Sequence, residues 1–470
     1  MKSRKTIAII GGGVSGSLTA FHLIHQGTKA RVIIIEPRPE LGLGLAYSTP
    51  SLRHLLNVPA GKISALPKEP AHFLNWLRTH HDPHATAATF APRAVFGRYI
   101  HSLVASVKGI EQVRATVVGY RQIGDCATLI LHNGAELQAN RVVLATGNFD
   151  PAQLPGISRE ATASGAYCHN AWLPETYDNL ASDAPVTLIG TGLTAVDVVL
   201  RLRELGHSGP ITAVSRHGVF PNRHADYTPI TKSAIPAGTA PTCVAYLRAL
   251  HCVIRSGVEW RAAIDSLRAT TNDLWLALPI KEQRRFRRHL QRRWDVVRHR
   301  MAPPIADVIE AELAAGTLVI HEGSLESIEA AENGAIVTFR APDGSDSLAT
   351  ARAINCTGPS MNYRRVESPL LRSLFAQGLV SAGPMGGGFN STRSGALIGS
   401  DGEASPILFN LGPGRLGTLL ESIAVPEIRE QAVEVAKTLT AQLAAAEYPN
   451  SQPASHALGG EELDSETVAA

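Results

Sequence analysis

Two glycine-rich segments carry the strongest chemical signal in this 470-residue sequence. The first, residues 11–16, follows the apolar run Thr6–Ile10, and the second, residues 190–195, follows the apolar run Val186–Ile189. Both fit the pattern in which a strand turns sharply into a helix whose N-terminal amides face a pyrophosphate. The sequence therefore predicts two dinucleotide sites, as expected where a resident flavin meets a visiting nicotinamide nucleotide.

The first segment is predicted to hold FAD. Its three glycines permit the tight turn, the approach of the backbone to the phosphates, and close packing of helix on strand. A helix is expected from Val14 to Gly27. A second strand, residues 31–35, is followed by Glu36, whose carboxylate could accept hydrogen bonds from ribose hydroxyls. The charge of that acid repels a 2′-phosphate, so FAD or NAD fits better than NADP. The residues assigned to this cofactor are Gly11, Gly13, Val14, Ser15, Gly16 and Glu36.

The second segment is predicted to hold NADPH. The strand after its helix ends at Ser215-Arg216, so an arginine stands where the first site has an acid. A guanidinium is a planar, permanent cation that suits a 2′-phosphate. The alternative, in which Arg216 is an ordinary surface residue and NADH binds, stays open because the acid-or-arginine rule is a tendency. The residues assigned to this nucleotide are Gly190, Gly192, Leu193, Thr194, Ala195, Ser215 and Arg216.

Two later strands end in small residues and are expected to close the two units. Each follows segments that read as hairpins, with turns at Asn133-Gly134 in the first case and at Asn333-Gly334 and Asp343-Gly344 in the second. Small residues at such a strand end let the backbone pass beside a bound cofactor. The residues predicted to do so are Ala145, Thr146 and Gly147, and Thr357 and Gly358.

The elements that position these sites are predicted to form an α/β fold. We expect two Rossmann-type domains, one for FAD and one for NADPH, with the second inserted in the first. The FAD domain is expected over residues 1–147 and 359–443, a connector over 148–183, and the NADPH domain over 184–358, with a helical insertion at 220–304. Residues 444–470 are expected to be a disordered tail.

The insertion contains an arginine-rich segment, residues 281–300. A charge run of this kind is usually a solvated or paired face, so we expect a salt-bridged helix packed across the domain boundary. Residues 298–300 are the part expected to be available for a phosphate or an acidic substrate.

Composition excludes several other classes of protein. The net charge of +3 makes no case for nucleic acid, and no apolar run is long enough to predict a membrane span. Five scattered cysteines form no closely spaced pair, which favours a reducing cytoplasm and disfavours a flavoprotein disulfide reductase. The histidine-rich residues 79–84 match no zinc spacing, so no metal is expected.

Further motifs make a family resemblance specific. They are residues 42–49 (Gly-Leu-Gly-Leu-Ala-Tyr-Ser-Thr), 54–60 (His-Leu-Leu-Asn-Val-Pro-Ala), 192–197, 215–218, 221–224, 410–415 (Asn-Leu-Gly-Pro-Gly-Arg) and 421–429. With the fingerprints, the chain resembles the FAD/NAD(P)-binding family that contains the HpyO-type urate hydroxylases and YdhS-like proteins. That family is related to the N-hydroxylating and Baeyer–Villiger-type flavin monooxygenases.

The resemblance implies further cofactor contacts. It places Gly44, Ala46, Tyr47 and Asn57 in a loop against the flavin, although a turn-capping role for Asn57 stays open. It also places Gly414 and Arg415 before a helix that starts near Leu416, with its amides toward the flavin pyrimidine edge. The FxGxxxHxxx(W) signature of Baeyer–Villiger enzymes is absent, which favours hydroxylation over ester formation.

The function predicted from these observations is an NADPH-dependent FAD monooxygenase. It would use dioxygen and a flavin hydroperoxide to hydroxylate a small polar, nitrogen-containing substrate. Asn57, Arg223 and His224 are the catalytic candidates, and an ordinary polar loop is the alternative for the last two. Two other functions stay open: an oxidoreductase that passes electrons to another acceptor, and a nucleotide-sensing protein without enzymatic activity.

Overall fold

The computed structural model describes residues 4–447. The strands are β1 (Thr6–Ile10), β2 (Arg31–Ile35), β3 (Ile110–Val113), β4 (Val117–Ile123), β5 (Cys126–Leu131), β6 (Glu136–Ala139), β7 (Arg141–Leu144), β8 (Tyr167–Cys168), β9 (Val186–Ile189), β10 (Ile211–Ser215), β11 (Leu318–Glu322), β12 (Ser324–Ala331), β13 (Gly334–Ala341), β14 (Gly344–Thr350), β15 (Arg352–Asn355), β16 (Ala396–Ile398) and β17 (Ala404–Asn410).

The α-helices are α1 (Val14–His25), α2 (Gly44–Tyr47), α3 (His72–His80), α4 (Arg93–Ala105), α5 (Arg159–Ala163), α6 (Leu193–Glu204), α7 (Cys243–Arg255), α8 (Trp260–Asp265), α9 (Thr271–Ala277), α10 (Ile280–His289), α11 (Gln291–Arg298), α12 (Pro303–Ala314), α13 (Pro369–Ala376) and α14 (Val425–Glu447). Short 3₁₀ helices lie at Ala60–Lys62, Pro174–Thr176 and Gly412–Gly417.

The first Rossmann unit is built around a six-stranded sheet in the order β16-β17-β7-β1-β2-β3. All neighbouring pairs are parallel except β16 with β17. After their first residues, Thr6 and Arg141, the central strands β1 and β7 are runs of buried aliphatic residues, as expected where helices cover both faces of a parallel sheet. Because β17 pairs with β7, segments from the two halves of the chain meet in one sheet.

The second Rossmann unit is a five-stranded parallel sheet in the order β11-β10-β9-β15-β8. It lies wholly between β7 and β17 in the chain, which confirms the prediction of one dinucleotide unit inserted in another. The edge strand β8 comes from the segment expected as a connector, so that segment also completes the second sheet.

Each unit carries a small antiparallel sheet, β4-β5-β6 in the first and β12-β13-β14 in the second. The turn between β5 and β6 falls at Asn133-Gly134, as the sequence predicts. The turns of the second sheet fall at Glu332-Asn333 and Pro342-Asp343, one residue before the predicted positions, because Gly334 and Gly344 already pair as the first residues of β13 and β14. These sheets lead into β7 and β15, the two strands whose ends carry the small residues noted above.

The helical insertion comprises α7 to α11 and packs against the C-terminal part of the first unit. The indole Nε1 of Trp275 donates to the Thr418 carbonyl oxygen at 3.0 Å. Arg298 pairs with Glu421, in the segment before α14, and with Glu427, in the first turn of α14, which joins the insertion to this part of the chain. The expectation that residues 298–300 are available to a ligand is wrong for Arg298 and Arg300, because both side chains are buried in ion pairs.

The C-terminal helix α14 runs to Glu447, and thus includes residues 444–447 of the segment expected as a tail. The rest of that segment, residues 448–470, lies outside the described residues. Within residues 4–447, no helix has the length and apolar character needed to cross a bilayer.

Candidate functional site

The first glycine fingerprint joins the ends of β1 and β7 to the start of α1. Gly11 has φ +105°, and a Cβ atom there would lie 2.3 Å from the Ala145 carbonyl oxygen. A Cβ atom at Gly16 would lie 1.9 Å from the Gly11 carbonyl oxygen. Because backbone atoms cannot move aside, both positions require glycine. The turn, the helix and the small-residue strand end are therefore held as one unit.

The carboxylate of Glu36 lies beside this turn. Its Oε2 accepts a hydrogen bond from the Gly12 amide at 2.8 Å, and its Oε1 accepts one from the Arg38 amide at 3.1 Å. A carboxylate has about four acceptor positions, so capacity remains for a ribose hydroxyl. Helix α1 begins after Gly13 with no side-chain cap from the described chain, and its first turn holds no acid. Its N-terminal amides thus suit a pyrophosphate.

The segment predicted to lie against the flavin packs on the same turn. A Cβ atom at Gly13 would lie 3.3 Å from the Cα atom of Gly44, so the two backbones approach each other closely. Gly44, Ala46 and Tyr47 form the short helix α2, and the Tyr47 ring packs on Phe96 with centroids 5.0 Å apart.

The C-terminal motif reaches the start of α1 from the other side. A Cβ atom at Gly412 would lie 2.5 Å from the Ser15 Oγ atom. A helix starting near Leu416 was expected here, and this is wrong: residues 412–417 form a 3₁₀ turn, and α14 begins only at Val425. The Arg415 guanidinium is buried and donates to the carbonyl oxygens of Thr392 and Arg393. These two contacts tie Arg415 to the backbone before β16, and its assignment to FAD stays a prediction.

The end of β17 carries a buried amide that has no hydrogen-bond partner among the described residues. Asn410 is fully buried, and neither polar atom of its side chain has a hydrogen-bond partner within the part of the chain that the structure describes. Asn410 pairs with Leu144, next to the strand end predicted to border the cofactor. Because the protein itself encloses this side chain, the unpaired amide is a local packing cost at the strand end and does not mark a ligand contact.

The second fingerprint repeats the geometry of the first. Gly190 has φ +114°, and a Cβ atom there would lie 2.9 Å from the Cys356 carbonyl oxygen at the end of β15. Gly192 precedes α6, whose first turn carries no acid. A Cβ atom at Gly192 would meet no described atom within 4 Å, so open space lies in front of the helix. This is the space that a pyrophosphate needs.

Two arginines border the second fingerprint. Arg216 follows β10, is exposed, and has no hydrogen-bond or ion-pair partner that the described residues provide. Arg292 reaches over from α11, and its Nη2 donates to the carbonyl oxygen and hydroxyl of Thr191 at 3.1 and 3.0 Å. Sequence reasoning missed Arg292, because nothing within the arginine-rich segment distinguishes it from its neighbours.

The three catalytic candidates separate in the structure. His224 Nε2 donates to the Asn57 carbonyl oxygen at 2.9 Å, which brings these two residues together at the interface of the units. Burial, with Arg300 nearby, lowers the pKa of His224 to about 4, so its ring is neutral at pH 7. Arg223 instead pairs with Asp307 and Glu310. Arg223 also lines the cleft described next, and its catalytic role stays a prediction.

A cleft of about 900 Å³ opens next to the contact between Asn57 and His224. Both units contribute to its wall. Its lining includes Val58, Lys62, Phe90, His224, Tyr227 and Asp265. The mixture of apolar, aromatic and charged groups suits a small polar ligand.

The remaining predicted cofactor residues lie at the two fingerprints and their strand ends. Their assignment to bound nucleotides stays a prediction. They are Val14 in α1, Thr146 and Gly147 after β7, Leu193, Thr194 and Ala195 in α6, Ser215 at the end of β10, Thr357 and Gly358 after β15, and Gly414 in the 3₁₀ turn.

Comparison with known sequences confirms the predicted resemblance. A family model described as FAD-NAD(P)-binding matches residues 8–149. The uncharacterized protein YdhS of Escherichia coli K12 is 25% identical over 236 residues. That alignment covers 46% of this chain and 42% of YdhS, so it spans less than half of the curated relative.

Comparison with solved structures shows that the fold is shared with flavoproteins. The ornithine hydroxylase PvdA of Pseudomonas aeruginosa superposes with a TM-score of 0.64 at 16% identity, covering 94% of this chain and 100% of that one. The ornithine N-hydroxylase KtzI of Kutzneria sp. 744 gives 0.65 at 14% identity over 94% and 100%. The cadaverine monooxygenase DfoA of Erwinia amylovora gives 0.62 at 13% identity over 100% of both chains.

Proposed function

We propose that this protein is an NADPH-dependent FAD monooxygenase that hydroxylates a small polar, nitrogen-containing substrate. The observation that carries the proposal is the placement of two dinucleotide units around one cleft. The loop predicted to border the flavin contacts the second unit there, through Asn57 and His224. When bound, FAD supplies the capacity to accept a hydride from NADPH and to activate dioxygen for transfer of one oxygen atom.

The chain's own groups bind and orient the two nucleotides. The N-termini of α1 and α6 present amides to the pyrophosphates, and Glu36 accepts hydrogen bonds from a ribose. Arg216 is exposed beside the second fingerprint, where its guanidinium would pair with the 2′-phosphate of NADPH. The neutral His224 ring holds the Asn57 backbone in place.

The structural neighbours support the reaction class. PvdA and KtzI are named as ornithine hydroxylases, and DfoA as a cadaverine monooxygenase. By analogy, a nitrogen-containing substrate would enter the 900 Å³ cleft. Its lining includes a cation, Lys62, and an anion, Asp226, either of which would orient a polar molecule.

Cysteine placement disfavours a disulfide reductase and supports a cytoplasmic location. The five cysteines all lie in residues 4–447, and none is in a disulfide. Cys356, beside the second fingerprint, is buried, and burial raises the pKa of its thiol well above the usual range. A protonated, enclosed thiol is a poor electron carrier.

The proposal is tested by NADPH consumption with and without candidate amines and heterocycles, with peroxide measured in parallel. A monooxygenase consumes NADPH and converts added substrate into a hydroxylated product. Consumption that requires an acceptor other than oxygen would instead support an electron-transferring oxidoreductase. No consumption by flavin-loaded protein, with any candidate, would support a nucleotide-sensing role.

A further inference from the structure

A bidentate ion pair crosses the interface between the two Rossmann units. Arg93, the first residue of α4 in the first unit, donates from Nη1 and Nη2 to the carboxylate of Asp197 in α6, at 2.7 and 3.0 Å. The two side chains are only 17% and 4% exposed. A guanidinium paired in this way fixes orientation as well as distance. The pair therefore constrains how the two units face each other.

Neighbouring contacts hold both partners of this pair. The Nε atom of Arg93 donates to the Leu55 carbonyl oxygen at 3.1 Å. The His54 ring, which is buried, donates from Nε2 to the Asp197 carbonyl oxygen at 3.0 Å, and its Nδ1 lies 2.7 Å from the Thr49 hydroxyl. Leu55 also packs against the apolar core of the second unit. The interface is thus fixed by charge, hydrogen bonds and packing at one point.

The pair joins the two parts of the molecule that would present the cofactors to each other. Asp197 lies little more than one turn into α6 from Gly192, which borders the predicted pyrophosphate site. Arg93 is tied to Leu55, in the segment that leads to Asn57 beside the predicted flavin site. We infer that Arg93 and Asp197 are positioning residues that set the distance between the nicotinamide and the flavin. This inference rests on the proposed function.

The step that the pair would govern moves a hydride, which is one proton and two electrons, from C4 of the nicotinamide to the flavin. The nucleotide is oxidised and the flavin is reduced. A misplacement of about 1 Å between reacting groups costs about 100-fold in rate. Nucleotide binding is expected to depend instead on the N-terminal amides of α6 and on Arg216, which the side chains of Arg93 and Asp197 do not contact. Loss of the pair is therefore expected to slow hydride transfer while leaving nucleotide affinity nearly unchanged.

The same helix offers a matched control. Arg203 of α6 forms a bidentate pair with Glu312 of α12 at 2.8 and 2.7 Å, and these side chains are 13% and 16% exposed. Both residues belong to the second unit. Glu312→Gln therefore removes a comparable buried ion pair within one unit, whereas Asp197→Asn removes the pair that spans two units.

The test is anaerobic stopped-flow reduction of the flavin-loaded protein by NADPH. The concentration dependence of the rate separates the rate constant of reduction from the Kd of the nucleotide. For Asp197→Asn we expect a rate constant about 10- to 100-fold lower than that of the parent protein, with a Kd within about threefold. Glu312→Gln should keep the parent rate constant even if its melting temperature falls.

Arg93→Lys provides a second variant, because lysine keeps the charge but loses the bidentate geometry. For Arg93→Lys we expect a rate constant of flavin reduction between those of the parent protein and Asp197→Asn. If Asp197→Asn does not retain flavin, the rate constant of Arg93→Lys tests the inference in its place. Rate constants for Asp197→Asn or Arg93→Lys within twofold of the parent would overturn the inference, as would an equal loss in Glu312→Gln. If NADPH does not reduce the flavin of the parent protein at all, the proposed function and the inference built on it both fail.

Discussion

A methyl group at Gly192 would test the second nucleotide site directly. Gly192 has φ −80° and ψ −175°, a backbone conformation that alanine adopts without strain. A Cβ atom there meets no described atom of the protein within 4 Å. Any large effect of Gly192→Ala on nucleotide binding must therefore come from a ligand that binds at the N-terminus of α6.

The effect on stability should be small. Replacing glycine in a permitted conformation stabilises by about 0.4–1 kcal/mol through the unfolded chain. Alanine is a poorer helix N-cap than glycine by about 0.5–1 kcal/mol. The two contributions offset each other, so we expect a melting temperature within about 3 °C of the parent value.

The effect on nucleotide binding should be large. A methyl group that displaces the pyrophosphate would break one hydrogen bond to a charged group, worth about 1.5–3 kcal/mol. The Kd of NADP⁺ is then expected to rise about 10- to 150-fold. Calorimetric titration of flavin-loaded protein with NADP⁺ measures this without turnover, and flavin content should stay at the parent level.

Gly206→Ala is the matched control at the other end of the same helix. Gly206 has φ +84°, and a Cβ atom there also meets no described atom within 4 Å. Alanine in this left-handed conformation should cost about 1–2 kcal/mol of stability without altering nucleotide affinity. A Kd for Gly192→Ala within twofold of the parent, in folded protein, would refute the assignment of this site.

Four further outcomes are expected. Gly13→Val should purify with little or no flavin, because the valine side chain would occupy the space between Gly13 and Gly44. Absorbance at flavin wavelengths measures the flavin content, and a full flavin content would remove the assignment of this site to FAD. Arg216→Ala should weaken NADPH binding by about one to two decades while barely changing NADH binding, since one charge-assisted pair is lost; equal losses would show that Arg216 does not contact the 2′-phosphate. Because the pKa of His224 falls from 6.5 to about 4 on folding, the unfolded chain binds the extra proton below pH 6.5 and stability falls as the pH drops toward 4. His224→Gln should therefore reduce the difference in unfolding free energy between pH 7.5 and pH 5 by about 2 kcal/mol, measured by urea denaturation, and an unchanged difference would contradict the shift. With ¹⁸O-labelled dioxygen, any hydroxylated product should carry one labelled oxygen, and an unlabelled product would exclude a monooxygenase.

Local sequence determined the two dinucleotide units. A turn that requires glycine at Gly11 and Gly190 depends on residues within a few positions, and so does an unbroken aliphatic strand. The hairpin signals Asn133-Gly134 and Asn333-Gly334 are equally local, and the second marks its turn to within one residue. For this reason the α/β fold, the inserted second unit and the position of Glu36 beside the first fingerprint could be predicted from the chain alone.

Only the tertiary structure decided which distant charges meet. Arg292 contacts the second fingerprint from a different helix, while Arg298, in the same arginine-rich run, is buried against Glu421. Arg93 and Asp197 lie in different units, and neither has a sequence neighbour that marks it as a partner. A pairing of this kind leaves no periodic pattern, because it depends on how helices and sheets pack after they have formed. The fingerprints could therefore be identified from the sequence, but the contacts that orient them toward each other could not.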